Sequence, residues 1–153
     1  MKRMRRSLAV TSAAVLAATS LAVLTAPAAS AAVSCSGTVT FDRTYYYNGN
    51  PVAELTIYYN STNGGTNSAC LYHRGAYYGV SKPTAVQIHR CSQRSPGSGC
   101  DFAASSRIDS GNYAYYAGPV GVTGTANYCV LAQGSMTLNS TTHLNFGSGP
   151  QGC

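Results

Sequence analysis

The sequence contains no tryptophan, only four acidic residues and only three histidines, and charged residues make up 9% of it. Each scarcity removes a class of function. The histidines, His73, His89 and His143, lie 16 and 54 residues apart and form no local metal-ligand motif. The acids, Asp42, Glu54, Asp101 and Asp109, show no calcium-loop pattern. The closest cysteines, Cys91 and Cys100, have eight residues between them, so the close C-x-x-C pairing of a zinc site is missing. No metal and no cofactor are expected. A G-x-S-x-G elbow is also lacking, and Gly147-Ser148-Gly149 belongs to a glycine-rich tail. Glycoside hydrolysis needs two carboxyl groups with separated pKa values. Glu54 is the best single candidate for one of them, standing in a strand beside aromatics, but its simpler role is the solvent side of that strand. The chain therefore reads as non-enzymatic.

Residues 1–31 have the layout of a secretory signal. Lys2, Arg3, Arg5 and Arg6 precede an uncharged Ala/Leu/Val-rich stretch from Leu8 to Ala26, and Ala29-Ser30-Ala31 offers a small-x-small cleavage site. A membrane anchor of that length is the competing reading. The Ala/Thr/Ser content and the adjoining cleavage site favour removal after Ala31, leaving one secreted domain, 32–153. Arg5-Arg6 raises twin-arginine export, but Met4 before the pair and the absence of Phe-Leu-Lys after it fit the general secretory route better. Nothing later in the chain is apolar enough to span a bilayer, so no membrane association is expected after cleavage. Removal of the leader also changes the charge. The formal +6 falls to +2, with Arg43, Arg74, Lys82, Arg90, Arg94 and Arg107 against the four acids. Five scattered arginines make no nucleic-acid footprint.

All six cysteines follow the leader: Cys35, Cys70, Cys91, Cys100, Cys129 and Cys153. An even count in an exported chain indicates a disulfide framework, with 15 connectivities open. Cys91 and Cys100 flank a turn-rich loop and are expected to pair locally. Cys35–Cys153 would tie the two ends, and Cys70–Cys129 would join two apolar strands.

The pattern of the domain is all-β. Tyr, Thr and Val alternate in short runs broken by Gly, Ser and Asn, and no window shows helical periodicity. In Val52–Tyr59, Ala53, Leu55, Ile57 and Tyr59 share one face, and the Leu55/Ile57 side should be buried. Residues 60–67 read as a turn with Gly64-Gly65 at its tip, and 70–78 as the return strand. Further strands are expected at 37–41, 84–91, 101–108, 113–117, 119–122, 127–133, 135–138 and 142–146, with Ser110-Gly111-Asn112 as a turn. Eight to nine strands at this spacing fit a single antiparallel β-sandwich or a small barrel.

The abundant residue is tyrosine, present 12 times. Consecutive tyrosines in a strand face opposite ways, so each cluster should place at least one ring outward. Tyr45, Tyr46, Tyr47, Tyr77, Tyr78, Tyr115 and Tyr116 are the candidate binding residues, because exposed Tyr offers rigid area with a hydrogen-bonding tip. The alternative is that these rings fill half-buried strand positions. Two Asn-Ser-Thr triplets, at Asn60 and Asn139, match a glycosylation sequon; in so Asn/Ser/Thr-rich a chain they carry no assigned function.

Two segments carry a family resemblance. Leu55-Thr56-Ile57-Tyr58-Tyr59-Asn60-Ser61-Thr62-Asn63-Gly64 stands ahead of Cys70. Tyr115-Tyr116-Ala117-Gly118-Pro119-Val120 stands ahead of Cys129, and the chain ends in Gly-Cys. In this order the chain resembles the small secreted spore-associated proteins of filamentous (Streptomyces-type) actinomycetes, with the Cys91–Cys100 loop as a departure. The resemblance implies an extracellular protein at the spore or cell surface and no catalytic residues. The expected function is therefore non-enzymatic surface association. The alternatives are a carbohydrate- or protein-binding, inhibitor-like module using Tyr-rich loops and, third, a small secreted hydrolase. Expected partners are a cell-wall or spore-surface polymer or another secreted protein.

Overall fold

The computed structural model describes residues 33–97 and 99–153. The expected leader, 1–31, lies outside the described residues. Two antiparallel sheets pack face to face, as expected for a sandwich, and neither closes into a barrel. The first sheet has the order β1-β2-β3-β7, from β1 (Thr38–Tyr47), β2 (Asn50–Asn60), β3 (Thr66–His73) and β7 (Tyr116–Thr123). The second contains β4 (Lys82–Cys91), β5 (Phe102–Ser105), β6 (Asp109–Tyr113), β8 (Val130–Asn139) and β9 (Thr142–Gly147). Its order is β5-β4-β8-β9, and β6 also pairs with β4. No helix among the described residues is long and apolar enough to cross a membrane.

Alternation along the strands builds the core. Leu55 and Ile57 on β2 and Ala69 and Leu71 on β3 are fully buried, facing Val86, Ile88, Val130, Ala132 and Met136 from the other sheet. Each buried Leu or Ile side chain contributes about 1.5–3 kcal/mol relative to exposure. The sheets approach so closely at Gly134 that a Cβ there would lie 2.9 Å from Leu71 Cδ2. His73 is also fully buried. A neutral ring satisfies both of its nitrogens, with Nε2 2.8 Å from Thr84 Oγ1 on β4 and Nδ1 3.3 Å from Tyr77 O. It thus ties one sheet to the other.

Several strand expectations change. The strand expected at 37–41 is only the first part of β1, and 113–117 is not one strand, since Tyr113 ends β6 and Tyr116 begins β7, which runs on through 119–122. The return strand of the first hairpin is Thr66–His73, starting four residues before Cys70, because Asn67 and Ser68 pair with Tyr59 and Tyr58. Ser110-Gly111-Asn112 is not a turn. These residues pair with Ala85, Thr84 and Pro83 as part of β6, and the bend falls at Ala114-Tyr115 instead. The expected strands at 127–133 and 135–138 are one, β8, running through Gly134. Gly118-Pro119 sits in β7, at the sheet edge and beside a register shift, where a missing N–H is tolerated. Both Asn-Ser-Thr triplets are turns: Asn60 Oδ1 accepts from Thr62, and Asn139 Oδ1 from the backbone N–H groups of Thr141 and Thr142.

The three disulfides are Cys35–Cys70, Cys91–Cys100 and Cys129–Cys153. The local pair is the expected one; Cys35–Cys153 and Cys70–Cys129 are not formed. On β3, Ala69 and Leu71 take the core side, so Cys70 faces outward and cannot reach across the core. Residues 33–37 instead lie over that outer face, where Cys35 meets Cys70. Val33 covers Gly121 of β7, where a Cβ would stand 2.7 Å from the valine methyl. At the other end, Gln151 pairs with Val130 by two backbone hydrogen bonds of 2.8 Å and so delivers Cys153 to the residue before β8.

Candidate functional site

The N-terminal strap covers only part of the outer face of the first sheet. Beyond it, part of the face is rich in tyrosine. Thr44, Glu54, Tyr72 and Tyr116 are register neighbours across β1, β2, β3 and β7 and project from the same side. The Tyr72 and Tyr116 ring centroids are 5.6 Å apart. The hydroxyls of Tyr72 and Tyr58 are hydrogen-bonded at 2.9 Å. Burial, with this hydrogen bond, pushes the Tyr72 phenol well above its ordinary pKa and keeps it neutral.

Arg74 follows β3 directly, held by a backbone bond from its N–H to Val52 O. Its guanidinium lies over the Tyr72 ring, 5.0 Å from the centroid. Nε and Nη2 donate to the two Glu54 carboxylate oxygens at 3.0 and 2.6 Å, and Nη1 donates to His73 O. This two-point contact holds the Glu54 carboxyl below its usual range and raises Arg74. Glu54 thereby offsets the Arg74 charge within the cleft, while Asp42 stays exposed on the same face of β1.

Two loops supply the rim. Tyr78 follows the short turn Gly75–Tyr77, and Tyr115 lies in the bend between β6 and β7. Gly79 N–H to Ala114 O joins the two loops, and His73 N–H to Tyr115 O ties the bend to the end of β3, both at 2.8 Å. The Tyr78 and Tyr115 rings meet edge to face with centroids 5.1 Å apart. Tyr72, Arg74, Tyr78, Tyr115 and Tyr116 together line an open cleft of about 510 Å³.

Of the seven tyrosines expected from sequence, three are in this cleft: Tyr78, Tyr115 and Tyr116. Tyr45 and Tyr77 turn inward against the core. The Tyr45 ring packs tilted against Phe146 with centroids 4.7 Å apart, and its hydroxyl donates to Gly147 O. Tyr46 and Tyr47 are exposed at the far end of β1 and do not line the cleft. Tyr72 and Arg74 were not among the expected site residues. Their signal was the pairing of the β2–β3 hairpin, which sets Tyr72 opposite Glu54.

The other candidate chemistry does not assemble. His89 Nδ1 is 2.7 Å from Ser105 Oγ, and its ring stacks on Phe102 at 3.9 Å. Its Nε2 makes no hydrogen bond, and among the described residues no carboxylate is bonded to any histidine. Burial lowers the pKa of His89, with the nearby Gln133 amide opposing. His143 is exposed and bonded to Thr137 Oγ1. Asp42 is raised, first by desolvation and then by the nearby Glu54 charge. That separates two carboxyl groups in pKa, but Glu54 is committed to Arg74. Among the described residues no group of three His, Cys, Asp or Glu could hold a metal ion.

The second sheet has grooves on its own outer face. One, of about 300 Å³, is lined by Gln87, Gln133, Ser135, Asn145 and Ile108. The next, of about 430 Å³, adds Ser110, Asn112, Thr137 and His143. Neither is lined by a charged side chain. No family model, curated protein or solved structure matches the chain.

Proposed function

We propose that this chain is an exported, non-enzymatic protein of the spore or cell surface that holds a neutral surface polymer in the cleft of Tyr72, Arg74, Tyr78, Tyr115 and Tyr116. The order of segments resembling the actinomycete spore-associated proteins supports the location. Three disulfides are compatible with an extracellular setting. The observation that carries the binding reading is the charge-cancelled aromatic cleft itself. Three exposed rings and a guanidinium lying over Tyr72 present apolar area with hydroxyl tips, while Glu54 offsets the Arg74 charge within the cleft. A sugar polymer, with apolar C–H faces and peripheral hydroxyls, matches both properties.

Retention of the purified protein on insoluble chitin, cellulose and peptidoglycan tests this reading. At least one should retain the wild type, and Tyr78→Ala with Tyr115→Ala should reduce apparent affinity roughly tenfold or more. Failure to bind all three, or unaltered binding by the double variant, rejects the cleft as the contact. Fractionation of a producing culture tests the location: the protein should partition with wall or spores, and recovery only from the medium would contradict it.

A further inference from the structure

Tyrosine is the readily oxidised side chain that this fold leaves open to solvent. The sequence has no tryptophan. All six cysteines are in disulfides, so no thiol is free. Of three methionines, Met1 and Met4 fall in the expected leader and Met136 is fully buried. A one-electron oxidant that reaches the domain therefore meets phenols first.

The phenols differ in what stands beside them. Tyr46 and Tyr47 are exposed, but among the described residues neither ring contacts another tyrosine. Tyr128 has its phenol pKa lowered by the Arg94 contact and also lacks a second tyrosine ring. Tyr72 touches Tyr116 but is half-buried, with its hydroxyl engaged by Tyr58. Only one ring pair in the described residues is exposed on both sides: Tyr78 at 62% and Tyr115 at 53%, with centroids 5.1 Å apart. The backbone bond Gly79–Ala114 holds the two loops together and His73–Tyr115 anchors the bend to the end of β3, so the two rings are kept as neighbours.

We propose that Tyr78 and Tyr115 form a site of oxidative phenol coupling, at which a haem peroxidase with hydrogen peroxide joins the two rings as an intramolecular dityrosine. Each phenol gives up one electron and one proton to become a phenoxyl radical. The radicals form a carbon–carbon bond between ring positions ortho to the oxygens. The two displaced ring hydrogens then return, through solvent, to the oxygens and restore both aromatic rings. The protein loses two hydrogens in all, and one hydrogen peroxide accepts two electrons and two protons to become two waters. The product would staple the β3–β4 connection to the β6–β7 bend at the rim of the cleft, whatever the cleft holds.

The test treats dilute, folded, disulfide-intact protein with hydrogen peroxide and a haem peroxidase, then isolates the monomer. Dityrosine fluorescence, intact mass and peptide mapping are read on it. The expected product is a monomer lighter by two hydrogens, with the Tyr78 peptide linked to the Tyr115 peptide. Tyr78→Phe and Tyr115→Phe preserve ring packing and should each lower monomer dityrosine roughly tenfold, given the advantage of held neighbours. Tyr46→Phe should leave it unchanged. A monomer without the linkage, coupling only between molecules, or undiminished yield in Tyr78→Phe overturns the proposal.

Discussion

On the outer face of the β1-β2-β3-β7 sheet, aromatic rings gather around Tyr72 and an Arg74–Glu54 ion pair, and a disulfide-held strap covers another part of it. On the opposite outer face, Gln87, Gln133, Ser135 and Asn145 line a groove with no charge. Both faces rest on the same core, since Leu71 and Gly134 touch through the middle of the sandwich. Core packing therefore does not account for the difference. A sandwich needs its inner faces apolar, but it leaves the outer faces free to diverge. Here one face concentrates aromatic rings and an ion pair, while the other spreads small amides and hydroxyls.

The largest expected effect separates the faces by their disulfides. Cys35–Cys70 closes a separation of 35 residues and holds the strap on the aromatic face. Cys91–Cys100 closes only nine, at the border of the second sheet. Chain entropy assigns about 4 kcal/mol to the first and about 2.5 kcal/mol to the second. Denaturant unfolding of the two paired Cys→Ser variants should show that order, with the first also exposing Thr56 and Ser68 to hydrogen exchange. An equal loss in both would mean that the strap adds nothing to its face beyond chain closure elsewhere.

This contrast also marks what could be read from the residues. The Cys91–Cys100 pair was legible because its intervening turn is local. The other pairs depended on which side of β3 Cys70 takes and on where residues 33–37 run, and neither has a local signature. The burial of Leu55 and Ile57 followed from simple alternation. Tyr78, Tyr115 and Tyr116 were legible as clustered tyrosines, since clusters must place some rings outward. Tyr72 carries no such signal, because it stands alone in sequence. Its partners come from strand register, with Glu54 18 residues before it and Tyr116 44 residues after. Tyr45 and Tyr77 had the same local pattern as the cleft rings and turned inward, so clustering marks a face only once pairing is known.

Acid should affect the two faces in separate pH windows. His89, under the second face, and His73, between the sheets, both have pKa values lowered by burial from the usual 6.5. The unfolded chain then binds protons that the folded chain refuses, so their contribution is full above about pH 6.5 and lost as pH falls below it. Glu54, on the aromatic face, is depressed from 4.5 by Arg74, so its contribution persists through that window and fades only as pH drops below 4.5. Unfolding measured between pH 8 and pH 3 should show both declines. His89→Gln should reduce the upper one, leaving the share of His73, and Glu54→Gln should reduce the lower one. A Glu54→Gln variant that still loses stability below pH 4.5 as steeply as wild type would remove the ion pair from the account.

The smallest expected effect lies on the uncharged face. Gln87→Ala removes an amide whose Nε2 donates to Ser106 O at 2.9 Å, and Asn145→Ala removes an exposed one. Surface changes of this kind fall within about 0.5 kcal/mol unless they strip a buried partner. Gln87→Ala should sit at the upper end, since Ser106 O loses a donor and must turn to water, and Asn145→Ala near zero. Neither should alter retention on a polymer whose binding Tyr78→Ala with Tyr115→Ala weakens. If Gln87→Ala weakens retention as much as the tyrosine variant does, the contact belongs to the amide groove, and the aromatic face is reduced to a cover for its sheet.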